Sequence, residues 1–425
     1  MPLKWIVLAI AVVMYSLIVV FPNKKSLSAL GAAILTILLG AIGPVEALRL
    51  VSWDVLMIFV GSLIIAELFI YSRVPAVIAD TLVLRSPNVG IAMIAILIMT
   101  GIISAFVENV ATVLVMAPIA LALCKKLELN PTYFMVGLAV MANLQGTATL
   151  VGDPPSMIFA DYALYGFNEF FIYDGKLSIF FAVQVGMLAG AVFFYCYFAK
   201  NSAKKIEVER ETVLSFVPTV LLVLMIAGLA IASFIFGGIS LFSGLLVVAL
   251  GVVGLLWYMF VRHEGGSKAW EMVKGLDWDT VLFLIGIFMV VGAIAGVGLL
   301  QDFAGLLGSI VKDNVLLGFV LILVVSTVIS GFVDNVPYII VMLPVAGALA
   351  AKLSLKPELY MFALLVGSCM GGNLTPFGAS ANIVTVGILK KQGVNMNFGQ
   401  WLKIGLPFTL ITVAASAVFI WFVWR

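Results

Sequence analysis

Four acidic residues stand in stretches too apolar to be aqueous: Glu67, Glu108, Asp153 and Asp334. A carboxylate at the centre of a bilayer costs about 3 kcal/mol on insertion scales, so such groups are protonated, paired or hydrated, and usually serve a function. Glu108 and Asp334 are each followed by Asn, in Glu108-Asn109 and Asp334-Asn335, midway along an unusually long apolar run. Acid and Asn side chains there can cap free helix N–H groups, bind an ion, or do both. Asp153 stands in a different context, Gly146-Thr-Ala-Thr-Leu-Val-Gly152-Asp-Pro-Pro155, where two glycines and two prolines prevent a continuous helix. The chain must unwind there and leave half-helix ends facing one another, which bind anions through N–H groups and cations through carbonyls. Gly372-Asn-Leu-Thr-Pro-Phe-Gly378-Ala-Ser-Ala-Asn382 makes a second break. A Pro-Gly kink used only for packing is the alternative, and the occurrence of two equivalent breaks argues against it. Asp153 is favoured as a proton or cation site, whereas Glu67 lies near a helix end and can reach water.

The remaining reactive residues point elsewhere. Cys124, Cys196 and Cys369 have no C-x-x-C spacing, so no disulfide framework, zinc site or iron–sulfur site is expected. No cofactor beyond a coupling H+ or Na+ is expected, and no metal site. Cys369 lies close to the second break, where a thiol could touch a thiophilic solute or simply pack. His263 falls in a charged loop and reads as solvated. The Gly-rich run lacks a following Gly-Lys-Ser/Thr, so it is a poor phosphate cradle.

The elements that hold these residues are membrane helices. Of 425 residues, 64% are hydrophobic and 10% charged, which places the chain outside soluble domains. Full crossings are expected at about 5–21, 26–43, 53–71, 131–165, 177–199, 213–236, 239–260, 278–299, 358–391 and 403–424. The stretches 88–124 and 314–351 are read as re-entrant hairpins with the acid–Asn pairs at their tips, and 73–86 and 301–312 as interfacial helices. Most of the 23 lysines and arginines, Lys24 and Lys25 among them, then fall on one face. That face is cytoplasmic by the positive-inside rule, in an inner membrane, with both termini outside. No Lys or Arg is left at membrane depth on this reading, so a multiply charged anion is disfavoured against a cation or a neutral solute. Nucleic-acid binding and enzymatic chemistry find no support.

The motifs recur. Ser104-Ala-Phe-Val-Glu-Asn-Val110 aligns with Ser330-Gly-Phe-Val-Asp-Asn-Val336, Pro118 with Pro344, and Gly146–Gly152 with Gly372–Gly378, all at one offset (Asp334 against Glu108, 334 − 108 = 226). Trp53-Asp54 and Trp278-Asp279 open equivalent crossings. Asp153 falls opposite Ala379, an asymmetry that packing symmetry does not require. The expected architecture is therefore an all-α integral membrane protein with ten transmembrane crossings. It comprises a first repeat 1–199 (hairpin 88–124 opening to the cytoplasm, broken helix 131–165), a linker 200–212, and a second repeat 213–425 (hairpin 314–351 opening outside, broken helix 358–391). Five crossings per unit is odd, so the tandem copies are inverted, the arrangement that supports alternating access. A channel or scaffold would not need duplicated broken helices.

At FVENVATVLVMAP (106–118), GTATLVGDPPSMI (146–158), GFVDNVPYIIVMLP (331–344) and GGNLTPFGASANIV (371–384), the sequence resembles the ion transporter superfamily. The resemblance is to the branch of arsenite efflux pumps, the melanosomal P protein and one class of Na+/H+ antiporters, itself related to divalent anion:sodium symporters. It implies a scaffold with a mobile transport domain in an elevator-type motion. It also implies a site of Asn109, Thr112, Thr147, Thr149 and Asp153 facing Asn335, Asn373, Thr375, Ser380 and Asn382, with Glu108, Asp334, Gly146, Gly152, Gly372 and Gly378 completing it. Sodium-coupled dicarboxylate relatives carry Ser-Asn-Thr at each tip, whereas the tips here read Glu-Asn-Val and Asp-Asn-Val, so a carboxylate substrate is not expected. The leading expectation is proton-coupled efflux of arsenite or antimonite, both largely neutral hydroxides at pH 7. A Na+/H+ antiporter or a sodium-coupled small-anion transporter is the alternative. The resemblance allows for a soluble ATPase subunit on the cytoplasmic side and leaves monomer and homodimer open.

Overall fold

The computed structural model describes residues 3–21, 24–198 and 211–425. Residues 200–210 of the expected linker, with Lys200, Lys204, Lys205 and Arg210, lie outside them. The chain begins with α1 (Leu3–Val20), α2 (Lys25–Leu38), α3 (Pro44–Leu50), α4 (Trp53–Tyr71) and α5 (Val74–Arg85). There follow a helical hairpin of α6 (Val89–Ser104) and α7 (Asn109–Lys126), an interrupted helix of α8 (Thr132–Gly146) and α9 (Pro154–Ala163), and α10 (Ile179–Phe198). After the linker come α11 (Val217–Phe236), α12 (Leu241–Leu256), α13 (Gly266–Gly275), α14 (Trp278–Gly296) and α15 (Leu299–Val311). A second hairpin, α16 (Val315–Ser330) and α17 (Asn335–Lys352), precedes a second interrupted helix, α18 (Glu358–Gly371) and α19 (Ser380–Lys391), and α20 (Phe398–Trp424) closes the chain. A short antiparallel ribbon, β1 (Ile172–Tyr173) with β2 (Lys176–Leu177), carries no sequence signal strong enough to announce it.

Among the described residues, nine helices are long and apolar enough to cross a membrane: α1, α4, α7, α10, α11, α12 with its continuation to Val261, α14, α17 and α20. The outward-facing side chains agree, since Phe234 and Phe422 are each 82% exposed, a liability in water and ordinary in lipid. The structure differs from expectation at 26–43. There α2 stops at Leu38 because Gly40 takes a left-handed φ of 71° and Gly43-Pro44 starts α3 afresh. The hairpin arms and the two breaks fall within a few residues of their expected limits.

The duplication is visible in packing. Helix α6 lies on α8 as α16 lies on α18, and α10 packs on α20. Two contacts are exchanged between halves: α2 runs along α14 while α12 runs along α4, and α9 packs on α17 while α19 packs on α7. The first exchange depends on the equivalent glycines Gly61 and Gly286. A Cβ on Gly61 would meet the Val247 backbone at 2.8 Å, and one on Gly286 would meet the Ala29 backbone at 2.6 Å. Small residues are what let membrane helices approach this closely. Helices α8 and α18 are buried along their whole length, so the two breaks sit at the centre of the molecule.

Candidate functional site

Both hairpin tips turn through a helix N-cap supplied by an acid. Glu108 Oε2 accepts from Ala111 N at 2.9 Å at the start of α7, and Asp334 Oδ1 accepts from Val336 N at 3.0 Å at the start of α17. The breaks add two further N-termini, α9 after Asp153 and α19 after Ala379, neither capped by its own side chain. Four positive helix ends therefore converge on one region. Asp153 shares a cavity lining with the tip residues Asn109 and Asn335.

A cavity of about 30 Å³ lies among these elements, lined by Glu108, Asn109, Asp153, Asp334, Asn335 and Ser380 together with Lys25, Asn143, Asp277 and Thr280. The first six are residues expected from sequence, and the structure brings them together. The last four sequence reasoning missed. Lys25, expected among the residues of the basic face, is instead drawn into the cavity lining. It opens α2 beside the second tip, its side chain is 13% exposed, and Nζ lies 3.4 Å from Asp334 Oδ2. Asp277 caps α14, accepting from Thr280 N at 3.0 Å.

Asn143 has a defined orientation. Asn373 Nδ2 donates to Val140 O, and Asn382 Nδ2 donates to Gly372 O and Thr375 O, so both Oδ1 atoms must accept. Asn143 Nδ2 donates to both at 2.8 Å. Its own Oδ1 is thereby turned toward the cavity, buried and without a protein partner. By the repeat offset, Asn143 corresponds to Cys369 (369 − 143 = 226), which is why symmetry gave no signal for it.

The other expected site residues frame the cavity instead of lining it. Thr149 Oγ1 donates to Ala105 O, and Thr375 Oγ1 donates to Gly331 O at 2.5 Å, equivalent ties from each break to the neighbouring hairpin tip. Thr112 Oγ1 donates to Val107 O at 3.2 Å, and Thr147 Oγ1 to Asn143 O at 3.4 Å. Gly146, Gly152, Gly372 and Gly378 allow the close approaches. A Cβ on Gly152 would lie 2.9 Å from Ser104 O, and one on Gly378 2.9 Å from Gly331 O. Cys369 is buried outside the cavity lining. Among the described residues, no cluster of His, Cys, Asp and Glu is arranged to hold a metal ion.

The lining is one-sided. Lys25, Asp277 and Thr280 come from the N-terminal ends of α2 and α14, whereas α12 contributes nothing and α4 only the apolar Phe59. The site is thus built on the boundary between the two halves and approached from one end.

The family model described as citrate transporter matches residues 15–367 and 319–425. An uncharacterized transporter of Mycobacterium tuberculosis is 32% identical over 385 residues, covering 87% of this chain and 86% of its own length. The P protein of Sus scrofa is 24% identical over 406 residues, 76% of this chain and 47% of that protein. In three dimensions the chain is similar to the YdaH transporter of Alcanivorax borkumensis, with a TM-score of 0.60, 16% identity and 99% and 98% of the two chains covered. It is also similar to MtrF of Neisseria gonorrhoeae, described within a class of antimetabolite efflux pumps, with a TM-score of 0.56, 15% identity and 91% and 83% covered.

Proposed function

The chain belongs to the citrate transporter family of membrane transporters, and from that premise we propose that it is a proton-coupled secondary transporter that expels a small inorganic solute, arsenite or antimonite foremost. The observation that carries this reading is the cavity itself. Two hairpin tips and two helix breaks meet around about 30 Å³ of space, with Asp153 and the unpartnered Asn143 Oδ1 facing it. A buried acceptor without a donor, Asn143 Oδ1, beside a carboxyl suits a neutral polyhydroxide, whose O–H groups supply the missing hydrogen. Asp153 and Glu108 are the groups that would exchange a proton for the solute, a role carboxyls at membrane depth commonly serve.

The one-sided lining supports alternating access. If the tandem copies are inverted in the membrane, exchanging the conformations of the two halves would close the α2–α14 end and open the α12–α4 end, with the acids staying near the midplane. A ten-crossing topology in an inner membrane, cytoplasmic on the Lys24 side with both termini outside, is the orientation we adopt. No ATPase subunit is needed for this cycle, and one at the cytoplasmic face would add drive without altering the site. A second reading, a carboxylate substrate as the family description suggests, is favoured by Lys25 in the lining and by the uncapped N-terminus of α19.

The test is transport in everted vesicles under an imposed pH gradient. Arsenite, antimonite, citrate, Na+ and Li+ are added separately, lumenal pH is followed with a dye, and solute uptake by tracer. Arsenite or antimonite should accumulate and dissipate the gradient without Na+. Dissipation by Na+ or Li+ alone would replace the reading with cation antiport, and by citrate alone with carboxylate transport.

A further inference from the structure

The two tips are built alike but are not charged alike. Asp334 faces Lys25, while Glu108, its equivalent, has no cation within hydrogen-bonding distance among the described residues. The helix that packs on α4 as α2 packs on α14 is α12, and it begins with Leu241, so symmetry supplies no second lysine. Lys25 is held where it is on three sides. Its ammonium lies against Asp334 Oδ2, stands 5.5 Å from the centroid of the Phe283 ring, and faces Asp277 and Asp279 across the start of α14. The neighbouring Ser26 Oγ is anchored on Asp279, which fixes the first turn of α2. Asp277 is itself committed to Thr280. Asp334 spends one oxygen on its cap and the other on Lys25. On the side of the first half, the cavity is faced by Asp153, which caps nothing, and by the buried Asn143 Oδ1, which has no protein partner.

We infer that Lys25 is the site's tethered cation: its ammonium takes, at Asp334, the place a metal ion would otherwise fill, and so determines that the transporter works without Na+ or Li+. The site then divides into a fixed pair, Lys25 with Asp334, and an exchangeable side, Asp153 with Asn143, where proton and solute compete. Loss of the ammonium leaves the Asp334 carboxylate, with Glu108, Asp153 and Asp277 in the same lining, short of a counter-charge, and carboxylate oxygens are hard ligands of the kind alkali cations take. The same pairing withdraws the lysine from any substrate carboxylate. This inference rests on the site of the proposed function, but not on the identity of the solute.

The test therefore reads cation binding without transport. Full-length protein is purified, and its thermal unfolding midpoint is compared in NaCl, LiCl and choline chloride at equal ionic strength. Wild type should unfold alike in all three. Lys25→Gln and Lys25→Ala should each be stabilised by several degrees in NaCl or LiCl over choline chloride, saturably, and bind radioactive Na+. Lys25→Gln combined with Asp334→Asn should lose that dependence. A Na+ response in wild type overturns the inference, as does the same midpoint in Na+ and choline for both single variants. Failure of both single variants to fold in NaCl also overturns it, because Na+ should then stand in for the ammonium. Failure of the vesicle assay to show arsenite transport would leave these outcomes unaffected, so the two readings fail separately.

Discussion

Asn143→Ala tests whether the Asn143 amide helps to fasten the two halves to each other at the breaks. The substitution removes two 2.8 Å hydrogen bonds and leaves Asn373 Oδ1 and Asn382 Oδ1 buried without a donor. At roughly 1 kcal/mol per hydrogen bond in general, or about 0.6 for side-chain bonds between membrane helices, and more where an oxygen is stranded, the expected loss is about 1–3 kcal/mol. Reversible unfolding of the purified protein in mixed detergent measures it. Because the amide acts through named partners, a double-mutant cycle with Asn373→Ala should show a coupling of about 0.5–1.5 kcal/mol. Transport should fall further than stability does, since Asn143 also presents Oδ1 to the cavity. Additive single effects would refute the reasoning, for they would mean that Asn143 and Asn373 are neighbours that do not hold each other. Full stability in Asn143→Ala would refute it equally.

Other consequences can be checked alongside. Asp153→Asn and Asp334→Asn should each abolish gradient-driven transport while the protein still inserts and purifies as wild type; full activity in both would remove the acids from the mechanism. Gly152→Ala and Gly378→Ala should destabilise by similar amounts, about 1–3 kcal/mol each, because each new Cβ meets backbone oxygens and carbons that cannot swing away; thermal unfolding of the pair would expose any inequality. In the loops, the exposed Lys356 beside Asp174 holds that carboxyl below its usual range. A depressed carboxyl contributes stability above its unfolded pKa of about 4 and loses it as pH falls through the lower folded value. Lys356→Gln should therefore leave the pH dependence of unfolding unchanged between about pH 5 and 8, as a pH series of melting curves would report.

Much of this architecture could be read before the structure was seen, because the physics is local. Gly152-Asp-Pro-Pro155 and Gly372–Gly378 must interrupt a helix whatever surrounds them, and the repeat offset then placed Glu108 and Asp334 at matching tips. Residues whose role is set by tertiary contact were another matter. In sequence Lys25 follows Pro22-Asn23 in a basic Lys24-Lys25 pair and reads as a solvated residue of the basic face. Only the packing of α2 along α14 brings its ammonium to Asp334. Asn143 lies inside a helix with Cys369 as its counterpart, so neither motif nor symmetry singled it out. Conversely, Thr149 and Thr375 read as ligands because they sit in the breaks, whereas their hydroxyls tie those breaks to backbone carbonyls. The early stop of α2 follows from Gly40, whose left-handed turn weighs more than the apolar run that continues past it.

The exchanged helices also bear on how the protein is made. A ribosome delivers α9 long before α17, and α4 long before α12, so each must wait in the membrane for a partner not yet synthesised. Until the second half arrives, the first exposes a seatless arm with Asp153 at its root and an uncovered glycine face at Gly61. A chain that stalls or is cut near residue 198 would thus be a substrate for membrane quality control, and co-expressed halves should protect each other from degradation. The interlock makes assembly a joint event and gives the cell a ready signal that it has not happened.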